Sequence, residues 1–164
     1  MGTRKSNRLV ALLVCLALAS CSKPKDNYSF VILNEDGTSD ASFLFDIDSA
    51  VSYSTYFCCR YDIGRIDREK LKLYIKATAP SGRTYRDTIE FPLYRTKEHA
   101  AGDAYTKFHI EQNWNANIEW TWRLNVASEE TGEWTIQARP ESYTGLHSLG
   151  FSYHPDGKRD EREK

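Results

Sequence analysis

Four cysteines pose the first chemical question, because a thiol is a strong nucleophile when it is exposed and ionised. They stand at positions 15, 21, 58 and 59. Cys58 and Cys59 are neighbours, and successive residues of a strand point to opposite faces. A bond between them would need a strained turn, since paired cysteines usually hold their Cα atoms more than about 4.4 Å apart. One is therefore expected to be a buried thiol and the other partly exposed, neither with a chemical role. The sharper alternative is pairing between two copies through the exposed thiol.

The other reactive side chains form no catalytic pattern. His99, His109, His147 and His154 are scattered, and no two lie at the i, i+2 or i+4 spacing of a compact metal-binding arm. There is no Gly-x-Ser-x-Gly elbow, no phosphate-cradling glycine loop and no calcium-loop run of spaced acids. Asp87 is the one anomaly, sharing the nominally apolar face of a strand with Tyr85, Ile89 and Phe91. A buried acid needs partners; a bulge or an open sheet edge accounts for it better than a functional acid does. These residues predict neither an enzyme nor a cofactor or metal site.

Cys21 has different surroundings. Arg4, Lys5 and Arg8 precede an apolar run from Leu9 to Leu18, and Leu18-Ala19-Ser20-Cys21 closes it. Ten apolar residues are too few to cross a hydrocarbon core, which takes about 20, but they suit the core of a secretory signal. The ending resembles a bacterial lipobox. That resemblance implies that residues 1–20 are cleaved as a signal peptide and that Cys21 is lipidated, becoming an N-terminal membrane anchor. More than one acyl chain gives stable attachment. Ser22 after the cysteine, with no aspartate, favours the outer membrane. Lys23-Pro24-Lys25 is unlike an acidic surface-export run and favours the periplasmic side. Residues 21–27 then form a short lipidated tether.

What remains after cleavage is 144 residues with 19 basic and 23 acidic side chains, a net charge of −4. That is one domain with one core, and its charge gives no case for nucleic acid or anionic lipid as an electrostatic partner. The mature chain has no methionine and many aromatics, as pleated surfaces favour.

Period-two alternation then runs through the chain in short segments. Tyr28–Leu33 opens it, and Phe43, Phe45 and Ile47 share a face. Val51, Tyr53, Thr55, Phe57, Cys59 and Tyr61 share another, opposite Tyr56, Cys58 and Arg60. Leu71, Leu73, Ile75 and Ala77 alternate with Lys70, Lys72, Tyr74 and Lys76, as in a half-buried strand. Pro80 and Gly82 suit a type I turn leading into a strand from Thr84 to Phe91, which Pro92 ends. Residues 94–103 read as a loop with a helical turn around Lys97 to Ala101. Short strands follow at Phe108 and Ile110 and at Trp134, Ile136 and Ala138, with a last one at Leu149, Phe151 and Tyr153.

Between them, Ile118, Trp120, Trp122, Leu124 and Val126 line one face of a strand, which assigns two tryptophans to the core. Trp114, among Asn113, Asn115 and Asn117, is the tryptophan placed to be exposed. It carries the alternative reading of a glycan-binding envelope lipoprotein. The fold predicted is an all-β antiparallel sandwich over 28–153, jelly-roll-like or Ig-like, with 154–164 a charged flexible tail.

Two segments carry a family resemblance: LKLYIKATAPSGRTYRDTIEFPL, ending at Leu93, and GEWTIQARPES from Gly132, leading through Gly145-Leu146-His-Ser-Leu-Gly150 to Tyr153. Together with the lipobox and the Tyr-rich strand ending near Arg60, they resemble the gliding-motility lipoprotein H family (GldH-like). The chain departs from that pattern between Tyr94 and Lys107, where a Gly- and Trp-containing stretch is replaced. The resemblance implies a membrane-anchored, non-catalytic accessory of a gliding or secretion-type envelope assembly. Its partners would be the membrane, through its lipid, and other envelope proteins.

Overall fold

The computed structural model describes residues 27–37, 41–48, 51–111, 114–128 and 130–158. The predicted signal peptide, Cys21, residues 22–26 of the tether and the last six residues lie outside them.

Nine strands and one helical turn make up the described chain. They are β1 (Asn27–Ile32), β2 (Ala41–Ile47), β3 (Val51–Asp62), β4 (Lys70–Thr78), β5 (Thr84–Pro92), α1 (Lys97–Ala100), β6 (Thr106–Ile110), β7 (Asn115–Val126), β8 (Gly132–Pro140) and β9 (Leu146–Lys158). The strands form two antiparallel sheets, β1-β9-β3-β7-β6 and β2-β8-β4-β5. β1 pairs with β9, β2 with β8, β3 with β7 and β4 with β5. The chain is thus a long antiparallel ribbon folded over itself, which is the jelly-roll winding of an eight-stranded sandwich, and β6 is added beyond β7. The all-β sandwich expected from the alternation is present, and the strand order selects the jelly roll.

Its core is aromatic and joins the two sheets. The Phe151 ring lies 5.9 Å from Phe43, 5.8 Å from Phe45 and 5.4 Å from Phe57, so one β9 side chain touches both layers. Phe91 of β5 stacks on Trp120 of β7 at 4.6 Å, an offset geometry that the ring quadrupole favours. Trp120 is buried and its indole N–H donates to the Pro92 carbonyl at 3.0 Å, which removes the penalty for an unpaired buried donor.

The turns follow their chemistry. Gly82 closes the Ala79–Gly82 turn with a 2.9 Å bond to the Ala79 carbonyl and adopts φ +83°, a left-handed value that favours glycine. Thr96 caps α1 with its hydroxyl.

Two expectations are corrected. β9 does not stop at Tyr153. It runs to Lys158, because the opening residues of β3 pair with Pro155, Gly157 and Lys158 around an irregularity at Asp156. The domain therefore reaches into the stretch read as a flexible tail. Leu124 also leaves the core face and is exposed. Register shifts opposite Thr55, with Asn125 at φ +53°, insert extra residues into β7 and break its alternation after Trp122.

Candidate functional site

Lateral rows cross the outer face of the five-stranded sheet. The register aligns Phe30, Gly150, Cys58, Glu119 and Lys107 in one row. Tyr28, Ser152, Tyr56 and Thr121 form the next, and Ile32, Ser148, Arg60, Asn117 and His109 lie on the other side. The middle row has a gap at Gly150, and the Phe30 ring fills it. A Cβ at position 150 would sit 2.5 Å from that ring, so glycine here permits a close approach.

Polar groups converge on Glu119. The Tyr28 hydroxyl donates to it at 2.9 Å and the Lys107 ammonium at 2.7 Å, and the Cys58 sulfur lies 3.9 Å away. Lys107 also sits 5.8 Å above the Tyr56 ring, and Arg60 pairs with Glu111 at 2.8 Å. Burial, then the hydrogen bond and charge of Glu119, push the Tyr28 hydroxyl up to about 12. The same carboxylate bonds Lys107 and raises its pKa. Tyr28, Cys58, Arg60, Lys107, Phe108 and Glu119 border a shallow groove of about 570 Å³.

Cys58 forms part of the floor of this groove, and the structure corrects its expected partial exposure. Both thiols are free and both are buried. Cys59 faces the core, while Cys58 lies on the outer face among Tyr28, Phe30 and Glu119, which border the same groove. Burial first, and then the negative charge of Glu119, push Cys58 up to about 12. Burial drives Cys59 upward as well. Neither is a competent nucleophile at neutral pH.

Asp87 is explained by an open edge. β5 is the outermost strand of its sheet and pairs with β4 without a bulge. The Asp87 carboxylate points inward and crosses to the other sheet. It accepts from Arg123 at 2.6 Å, from the Trp122 indole N–H at 3.3 Å and from the Thr88 backbone N–H at 2.9 Å. Burial would raise its pKa, but these donors and the Arg123 charge outweigh it and hold the carboxyl below its usual range. An inward charge on an edge strand also discourages unwanted strand addition.

The tryptophans divide largely as expected. Trp120 and Trp134 are buried, Trp122 is half-buried against the core, and Trp114 is 73% exposed at φ +63°. No helix among the described residues is long and apolar enough to cross a membrane. Among those residues no group of three His, Cys, Asp or Glu could hold a metal ion. The signal that sequence reading missed is on β1: Tyr28, Phe30 and Ile32 recur at i, i+2 and i+4 on a face that the structure leaves outside.

No protein-family model and no curated protein matches the chain. Among solved structures, one chain in the structure of infectious bursal disease virus Gt strain is similar at 10% identity and a TM-score of 0.18. The match covers 87% of this chain and 48% of that one, and at that score it carries no argument.

Proposed function

We propose that this protein is a lipid-anchored lipoprotein of the cell envelope, held in the outer membrane on its periplasmic side. It serves as a non-catalytic accessory of a gliding or secretion-type assembly, as its resemblance to the gliding-motility lipoprotein H family implies. The observation that carries the reading is the sequence Leu18-Ala19-Ser20-Cys21 placed six residues before the first strand. Six residues reach at most about 20 Å, so a lipidated Cys21 would hold the sandwich against the bilayer. The free edges of β2 and β6 carry no inward charge and offer backbone groups to an extended partner segment.

The test is a cross-linked pull-down from the native envelope, wild type against Cys21→Ala, with palmitate labelling of both. Gliding or secretion components recovered with the wild type and lost with the variant, together with label only in the wild type, are the expected outcome. Recovery of nothing removes the assembly reading. Recovery of polysaccharide alone favours the alternative, a glycan-binding lipoprotein, which the exposure of Trp114 supports.

A further inference from the structure

We infer that the outer face of β1 seats in the head-group region of the bilayer, with Tyr28, Phe30 and Ile32 as the inserted side chains. The inference rests on the anchored reading above and adds an orientation to it. β1 is an edge strand whose outward residues are 47%, 58% and 79% exposed at Tyr28, Phe30 and Ile32. They form a continuous apolar stripe about 13 Å long. Stripes of this kind on a soluble face mark a contact surface.

Chain length identifies what covers it. The stripe begins one residue after a tether too short to carry it more than about 20 Å from Cys21. A strand lying flat on the interface brings all three side chains to one depth. Tyr28 suits that depth, because its amphipathic ring prefers the boundary between water and acyl chains, and Phe30 and Ile32 add apolar area beside it. Charge on this face is compatible with the contact. On the same face Arg60 lies two strands from the stripe and is paired with Glu111, Lys107 lies on the opposite edge strand and with Tyr28 covers Glu119, and Lys23 and Lys25 stand in the tether. The outward face of the other sheet differs: Lys70, Lys72, Lys76, Arg86 and Glu90 surround it, and Leu44 is its one exposed large apolar side chain among the described residues.

The experiment uses the lipidated full chain in vesicles of phosphatidylethanolamine and phosphatidylglycerol. Spin labels are placed separately by Ile32→Cys and Leu44→Cys, both exposed positions, and the buried Cys58 and Cys59 do not compete for label. Relative collision with oxygen and with a water-soluble nickel chelate reports depth. The label at position 32 is expected to favour oxygen over nickel severalfold more than the label at 44.

Equal, nickel-dominated access at both positions overturns the seating while leaving the anchor intact. Dipolar broadening at position 32 that grows with protein density overturns it in favour of a second copy. Flotation of Cys21→Ala with the vesicles is measured in parallel. If that variant floats as well as the wild type, the lipid on Cys21 is not what holds the chain and the anchor reading fails, while the labels at 32 and 44 still decide the seating.

Discussion

Between Tyr85 and Ile89, Asp87 sits where an aliphatic side chain would be expected, and its partners explain why it is tolerated. Burial opposes its charge, yet Arg123, the Trp122 indole and the Thr88 amide together favour the carboxylate. Its folded pKa therefore lies below the unfolded value of about 3.9. A depressed acid contributes stability that is present above the unfolded pKa and is lost as pH falls through the folded one. Asp87→Asn is expected to be less stable than the wild type by about 1 kcal/mol at pH 7, a modest figure because Arg123 is largely solvated. The two proteins should converge at a second, acidic pH below the folded pKa, where the native carboxyl is protonated. Urea unfolding at both pH values checks this, and a gap that stays constant would show that Asp87 acts through packing.

Strands β1 and β9 form a unit in which one residue's absence of a side chain shapes its neighbour. The Phe30 ring occupies the space above Gly150, and both residues border the same row as the buried Cys58. Gly150→Ala must displace that ring, at an expected cost of about 1 kcal/mol. In a Phe30→Ala background the same change should cost close to nothing, because the space has been vacated. A double-mutant cycle measures the coupling, and additive effects would reject the ring-over-glycine account. The register of β9 shows a second effect at this scale. Its last residues are charged and contain proline, which locally reads as tail, but pairing with the start of β3 draws them into the sheet.

Across the whole molecule, stability concentrates where the sheets meet. Phe151 touches rings from β2 and β3 as well as Trp122 of β7. Phe151→Ala is expected to cost about 3–5 kcal/mol, since the cavity cannot collapse between two rigid layers. Leu124→Ala should stay within about 0.5 kcal/mol, although both residues look equally central in their alternating runs. Thermal or urea unfolding of the pair would decide, and similar losses would contradict the bulged path of β7.

Alternation alone placed Phe43, Phe57, Leu71, Leu73, Ile118, Trp120 and Ile136 in a core, because a residue's face in a strand is a local property of period two. Pro80 and Gly82 announced their turn for an equally local reason, since their backbone preferences belong to the residues themselves. Long-range pairing decided the rest. It chose the jelly-roll order over other sandwiches, bulged β7 so that Leu124 turned outward, extended β9 to Lys158, and buried Cys58 on the outer face. The two apolar faces of β1 make the same point. Tyr28, Phe30 and Ile32 alternate with Val31 and Leu33, and nothing local says which set is inside. Pairing with β9 settled it, because which face meets the other sheet depends on how the chain is wound and is written in no single strand.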